Sequence, residues 1–282
     1  MNISGAKAAA ADTLANAGVA NAGREAASLL VFVLKKDATF LIAHPEFELT
    51  ENDVAAFADV TARRANREPF QYITGVQEFY GLEFEVSADV LIPRPETEIL
   101  VEDSIELLSE VEKPAFFEVG VGSGCISISI LNEVAEATSS GTDISDSALA
   151  VAARNAERHG VAPRLALRRG DVFEGADQTY DLIVSNPPYI PDDELLQPEV
   201  GEFEPPVALF GGPDGLDIVR RIVDKTPKYL KPSCFLLIEI GFDQSGSVKE
   251  MFDPLVWETV EFLPDLQGFP RIVKARLRRQ DN

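Results

Sequence analysis

The chain is poor in the residues on which several chemistries depend. Its 282 residues include two cysteines, Cys125 and Cys234, and two histidines, His44 and His159. Two thiols so far apart exclude a disulfide framework and a multi-cysteine zinc site, and two imidazoles exclude a histidine-rich metal centre. No metal is expected. Histidine-dependent nucleophilic catalysis would have to use His44, in the turn-like Ala43-His44-Pro45-Glu46, or His159, just before Gly160. The second position reads as a helix C-terminus, where a histidine serves as a cap. Long apolar runs are also missing. The longest clean run near the N-terminus is Leu29–Leu34, far short of the roughly 20 residues a bilayer span needs. Asp12 interrupts the early alanines and no apolar signal segment follows, so a cytoplasmic protein with no membrane partner is expected. Lysine is scarce at nine residues, and 47 acids against 25 bases give a net charge of −22 and a pI near 4.4. A field of that sign repels a phosphate backbone, which opposes stable binding of nucleic acid. The acidity fits a saline medium, where carboxylates keep the surface hydrated, or attraction to a basic partner.

What is present is an ordinary globular composition, 45% hydrophobic and 26% charged, which excludes wholesale disorder. The length suggests one large or two unequal domains. Apolar residues at three-to-four spacing predict helices over Ala6–Ala15, Ala22–Lys36 and Glu51–Arg64, the last begun by Thr50 with Asp53 three residues on. At Pro69 the period changes. Phe70–Gly75 and Phe79–Val86 are aromatic and alternating with glycines at the turns, which predicts a β-hairpin connector. A helix is expected over Glu96–Leu108. From about Lys113 strands and helices alternate: strand Ala115–Val119, helix Cys125–Glu133, a strand ending near Asp143, and helix Ser145–His159 with Ser145 as N-cap. Leu165–Leu167 and Tyr180–Val184 are strand candidates, followed by helix Leu216–Tyr229 and strands Cys234–Ile240, Val256–Phe262 and Arg271–Leu277. This order predicts an α/β fold with a mainly parallel sheet covered on both faces.

Two constellations carry chemistry. Glu118-Val119-Gly120-Val121-Gly122-Ser123-Gly124 follows a strand and opens a helix, so its backbone approaches a ligand closely; a tight turn without a ligand is the alternative. Asp143, 23 residues after Gly120, stands where a carboxylate binds ribose hydroxyls. A dinucleotide fingerprint wants Gly or Ala where Cys125 stands. The tighter G-x-G-x-G spacing suits a ligand without pyrophosphate, with S-adenosylmethionine the candidate, its cationic sulfur matched to Glu118 and Asp143. The second constellation is the apolar strand Asp181–Ser185 running into Asn186-Pro187-Pro188-Tyr189. Two prolines fix the backbone and remove two donors. The Asn186 side-chain oxygen and a proline carbonyl are a pair of acceptors for both hydrogens of an –NH2 group, and Tyr189 offers a flat face to a planar amide or base.

These motifs, with Gln71-Tyr72-Ile73-Thr74-Gly75, Glu78–Leu82, Val90–Glu98, Glu204-Pro205 before Ala208-Leu209, Gly212–Leu216, and Asp265-Leu266-Gln267-Gly268 with Arg271, closely resemble the peptide-chain release-factor glutamine N5-methyltransferase family. The resemblance runs from about residue 65 to 275. It implies a Rossmann-like seven-stranded methyltransferase sheet (95–282), a small N-terminal helical domain that docks substrate (1–68), and a β-hairpin linker (69–94). It implies S-adenosylmethionine as cofactor, contacted by Gly120, Val121, Gly122, Ser123, Gly124, Asp143, Asp171, Val172 and Asn186. Asn186, Pro187, Pro188 and Tyr189 would contact substrate, with Asn186, Pro187 and Tyr189 catalytic. The implied partners are class 1 release factors, methylated by a monomer on the glutamine of their Gly-Gly-Gln loop. Glu118 replaces an aspartate common in the family. Val172 stands where an aromatic residue can pack on adenine, with Phe173 the neighbouring substitute. The alternatives are a ribosomal-protein glutamine methyltransferase and a DNA N6-adenine methyltransferase, the latter opposed by the charge.

Overall fold

The computed structural model describes residues 1–279, so the last three residues of the expected 95–282 domain lie outside them. The chain forms two compact units, Met1–Val76 with Leu196–Phe203, and Gln77–Leu195 with Glu204 onward.

The first unit is helical: α1 (Ile3–Asn16), α2 (Ala22–Leu34), α3 (Ala38–Ala43), α4 (Glu51–Ala65) and α5 (Phe70–Thr74). Local chemistry starts three of them. Asn2 and Asp37 accept from Gly5 N and Phe40 N, and Thr50 and Asp53 form a reciprocal capping box. Ile3, Leu14, Leu29, Leu30, Phe57 and Ile73 are buried together. Phe70–Gly75, expected as a strand, is a single helical turn. The Pro69 carbonyl accepts from Tyr72 and Ile73 N–H, Gly75 at φ +79° ends the turn, and Tyr72 and Ile73 are buried. Aromatic and β-branched composition suggested a strand, and burial of one side of a turn decided otherwise. The Leu196–Phe203 segment is tied in by charge: Glu199 accepts from Arg64 (3.2 Å) and Arg67 (2.6 Å), while Arg64 also reaches Glu25 (2.5 Å).

In the second unit a hairpin, β1 (Val76–Phe79) and β2 (Leu82–Glu85), precedes α6 (Glu98–Ser109). Its two-residue Tyr80-Gly81 turn has both φ values positive, the geometry whose twist matches paired strands. Then follow β3 (Ala115–Val119), α7 (Cys125–Glu133), β4 (Thr138–Asp143), α8 (Asp146–Arg158), β5 (Leu165–Arg169) and β6 (Tyr180–Ser185). After the excursion containing α9 (Pro198–Gly201) come α10 (Asp217–Lys225), β7 (Leu230–Glu239), α11 (Ser245–Lys249), β8 (Trp257–Pro264) and β9 (Pro270–Leu277). One seven-stranded sheet results, ordered β5-β4-β3-β6-β7-β9-β8 and parallel except for β9 against its neighbours. Alternate residues serve opposite faces. Phe117, Ile183, Leu236 and Ile238 pack with α10, whereas Phe116, Leu182, Val184 and Leu237 pack with α6 and α7. Among the described residues no helix is long and apolar enough to cross a membrane.

Candidate active site

Strand register sets one row of residues at the C-terminal edge of the sheet. Val119 of β3 lies opposite Thr142 of β4 and Ser185 of β6, and Ser185 lies opposite Ile238 of β7. The next residues along the four strands are Asp143, Gly120, Asn186 and Glu239, which therefore stand at one level. β3 and β6 are neighbours where the strand order reverses, the place where open α/β sheets receive ligands. A cavity of about 220 Å³ opens there, walled by residues that include Gly120, Gly122, Asp143, Val172, Asn186 and Pro188.

The glycine loop shapes one side of the cavity. Gly120 and Gly122 have φ of +74° and +55°, and a Cβ on either would enter open space. Gly124 plays another part. A Cβ there would lie 2.8 Å from Ile128 Cδ1 and 3.3 Å from Ala152 Cβ, so this glycine lets the loop pack on α7 and α8. It is absent from the cavity wall, whereas Val121 and Ser123 are on it. Asp143 closes the loop: Oδ2 accepts from Gly122 N and Oδ1 from Ser145 N, both at 2.9 Å. Each oxygen keeps a second lone pair for a ligand hydroxyl. Asp171 is also on the wall, its carboxylate held by the Arg221 guanidinium.

Val172 is buried on the wall with φ +57°, uncommon for a β-branched residue, and its carbonyl accepts from Thr142 Oγ1 (2.5 Å). Phe173 does not replace the missing aromatic. It is buried in the core, stacked on Tyr229 at 4.8 Å between centroids.

Beneath the loop, Glu118 is fully buried. Its Oε2 accepts from the amide (3.1 Å) and hydroxyl of Ser127, while Oε1 has no protein partner and the residue reaches the cavity wall. Burial pushes its carboxyl up to about 8 against the Ser127 hydrogen bonds, with the Asp143 charge acting in the same upward direction. Burial next to Glu118 also pushes the Cys125 thiol up to about 12, leaving it protonated and unfit as a nucleophile at neutral pH.

The Asn-Pro-Pro-Tyr loop is wired into its surroundings. Asn186 Nδ2 donates to Thr97 Oγ1 (3.1 Å), and Thr97 donates to Glu239 Oε2 (2.6 Å). Tyr189 OH donates to Glu239 Oε1 (3.4 Å). Glu239 is buried, and its carboxyl is pushed up to about 7 by that burial; Thr97, Arg271 and Tyr189 act downward and Glu96 upward. Burial, then the Glu239 charge, raises the Tyr189 phenol, which stays a donor. Gln244 Nε2 donates to the Tyr189 carbonyl (2.8 Å). Glycines let a second segment approach: a Cβ on Gly211 would lie 2.5 Å from the Pro188 carbonyl oxygen, and one on Gly215 2.1 Å from that of Tyr189.

Comparison with known proteins covers both units. Residues 6–75 match the PrmC N-terminal domain and residues 97–200 the methyltransferase small domain. A release factor glutamine methyltransferase of Geobacter sulfurreducens is 44% identical over 94% of this chain and 93% of its own length; one of Koribacter versatilis is 40% identical over 88% and 89%. The chain belongs to the release factor glutamine methyltransferase family. A solved methyltransferase from Pyrococcus furiosus, 16% identical, covers 77% of this chain and 98% of its own with a TM-score of 0.52, and shares the fold.

For a release factor glutamine methyltransferase family member, the residues named from sequence divide into three groups. Gly120, Val121, Gly122, Ser123, Asp143, Asp171, Val172, Asn186 and Pro188 line the cavity. Pro187 and Tyr189 belong to the same loop without lining it, and Gly124 serves packing. His44 and His159 end α3 and α8, and His159 Nε2 meets the Glu83 carbonyl at 2.9 Å. Among the described residues no cluster of three or more potential ligands could hold a metal.

Sequence reasoning missed Thr97 and Glu239. One signal for the glutamate was available: it is the only charge inside the apolar run Cys234–Ile240, and a lone charge in a buried strand has a partner.

Proposed function

We propose that the chain transfers a methyl group from S-adenosylmethionine to the side-chain amide nitrogen (N5) of the glutamine in the Gly-Gly-Gln loop of class 1 peptide-chain release factors. The observation that carries this reading is the shared row of Asp143, Gly120 and Asn186 at the edge of the cavity, in a member of this family. The residues present fit the donor. Asp143 retains acceptor capacity for ribose hydroxyls, the Gly120–Ser123 backbone leaves open space beside it, and Asp171 and Val172 form the adenine side. The Asp143 carboxylate on the wall suits a cationic ligand, and the unpartnered Glu118 Oε1, on a carboxyl that keeps its proton at neutral pH, offers a neutral polar contact. Bound there, S-adenosylmethionine supplies a methyl on a cationic sulfur, open to in-line displacement.

The chain's own task is to activate a poor nucleophile, since an amide lone pair is delocalised into its carbonyl. Asn186 Oδ1 and the Pro187 carbonyl accept the two N–H bonds of the target, and Pro188 lines the slot. Tyr189 packs against the amide plane. The acceptors stabilise positive charge that develops on nitrogen during transfer, an interaction stronger in the transition state than in the ground state, and the methylated nitrogen then releases one proton to solvent. Fixing both reactants at near-attack distance contributes up to roughly 7–11 kcal/mol in the best cases. Glycines beside the target admit it to a narrow slot, and the helical N-terminal region docks the remainder of the factor.

The test is methyl transfer from tritiated S-adenosylmethionine to purified release factor, unaltered and with the target glutamine changed to alanine. Label on the first alone is the expected result. Equal label on both, or label only on a ribosomal protein or DNA, overturns the reading.

A further inference from the structure

We propose that Thr97 and Glu239 are positioning residues that decide which atom of the Asn186 carboxamide faces the reacting nitrogen. The inference rests on the methyl-transfer reading for its consequence, and on hydrogen-bond arithmetic for its geometry. A carboxamide has two ends of nearly equal size and opposite character, one a double donor and one an acceptor. Proline backbone cannot tell them apart; a polar neighbour must.

Here the neighbour is Thr97 Oγ1, 3.1 Å from Asn186 Nδ2. A threonine hydroxyl has a single proton, and Thr97 sends it to Glu239 Oε2 at 2.6 Å. An ionised carboxylate accepts only, so the hydroxyl is left with lone pairs toward Asn186. Donors then run one way, from Asn186 through Thr97 to Glu239, and Oδ1 is the end left for the target N–H bonds. Tyr189 ends on the other oxygen of the same carboxylate at 3.4 Å, so one buried glutamate anchors both polar side chains of the loop. An amide turned the other way would set –NH2 against –NH2, leaving donors unpaired where positive charge develops.

The parts of this relay are far apart in the chain. Thr97 ends a single 3-10 turn, Pro95–Thr97, before α6, and Glu239 is the last residue of β7, 142 positions later. Both are almost completely buried; Thr97 reaches the cavity wall, and Glu239 stands behind it, off that wall. Burial pushes the Glu239 carboxyl up to about 7, with Thr97, Arg271 and Tyr189 acting downward, so the ionised form that the one-way order requires predominates above about pH 7.

The experiment compares Thr97→Val, Thr97→Ser and Glu239→Gln with the unaltered full-length protein. The direct readout is the Asn186 side-chain NH2 signal in a 15N-labelled sample, assigned by its loss in Asn186→Ala. Slow hydrogen exchange is expected in the unaltered protein and Thr97→Ser, and fast exchange or a displaced signal in Thr97→Val and Glu239→Gln.

The kinetic readout is kcat for methyl transfer to the release factor. It falls about 10–100-fold in Thr97→Val and Glu239→Gln, the scale of a misplaced reacting group. Thr97→Ser restores most of it, and S-adenosylhomocysteine affinity stays within about twofold throughout, as expected for an interaction made only in the transition state.

Thr97→Val and Glu239→Gln proteins that melt like the unaltered one, yet keep its kcat and Asn186 signal, overturn the proposal. If Thr97→Val fails to fold, Glu239→Gln and Thr97→Ala make the same comparison. If the unaltered protein labels no release factor, the functional reading fails separately, and the Asn186 signal still decides the relay.

Discussion

The loop after β3 and the loop after β6 leave adjacent strands at the same level, each with a buried glutamate close by, and they treat that glutamate in opposite ways. Glu118 has one oxygen satisfied by Ser127 and one with no protein partner, beside glycines whose missing side chains leave open space. Glu239 has both oxygens engaged, by Thr97 and Tyr189, beneath a loop stiffened by two prolines. The first arrangement leaves polar capacity for a ligand to complete. The second spends its capacity internally to hold side chains still. A buried polar atom without a partner is costly in an empty site and favourable in a filled one, whereas a completed network specifies one geometry throughout. The contrast matches the roles proposed above: one half receives a charged small molecule, the other orients a neutral carboxamide.

Mutations break the contrast to different extents. The largest effect is expected for Asn186→Ala, which removes the acceptor at the developing charge. Its kcat should fall by about 10²–10³, the loss seen for a single transition-state hydrogen-bonding group, with donor affinity nearly unchanged. Kinetics plus equilibrium binding of S-adenosylhomocysteine check this, and turnover like that of the unaltered protein would refute the role.

Next come two glycines of one loop. Gly124→Ala should cost roughly 2–4 kcal/mol of stability in urea unfolding, from a left-handed backbone and overpacking together. Gly122→Ala has the backbone term alone, about 1–2 kcal/mol, but its methyl enters the space beside Asp143, so donor affinity should drop at least about tenfold. Equal effects of the two changes on affinity would erase the distinction between wall and packing.

A smaller effect concerns pH. The Glu118 carboxyl sits at about 8 in the folded protein, above the ordinary range of about 4 expected unfolded. The folded state therefore holds a proton that the unfolded state has released, and stability falls as pH rises from about 4 to about 8. Glu118→Gln should flatten that decline, measured by urea unfolding at pH 5 and pH 8; an unchanged slope would count against the buried, raised carboxyl. The smallest effect lies away from the cavity. Thr50→Ala removes one member of a capping box on α4 and should lower stability by about 1 kcal/mol, with kcat unaltered.

How much was legible in the sequence followed from how local each feature is. Gly120–Gly124 and Asn186–Tyr189 are contiguous, with backbone needs written in glycine and proline, and most strands and helices of the sheet unit fall where periodicity predicted them. Phe70–Thr74 was misread because five residues, four of them aromatic or β-branched, are too few to carry a period of their own. Phe173 was misassigned because its neighbour in sequence says nothing of its direction: both residues are buried in one core cluster, but only Val172 also reaches the cavity wall, while Phe173 stacks on Tyr229.

The sequence by itself determined the two loops, the alternation that builds a parallel sheet, and the family to which the chain belongs. Each rests on contiguous residues whose φ preferences, missing donors or apolar spacing act over a few positions. Only the tertiary structure decided that Asn186 stands beside Gly120, that Gly124 packs while Gly122 faces the cavity, and that Thr97 and Glu239 hold the proline loop. Those facts depend on strand register and on contacts across as many as 142 positions, and hydrogen bonds of that range exist only once the sheet has brought its edges together.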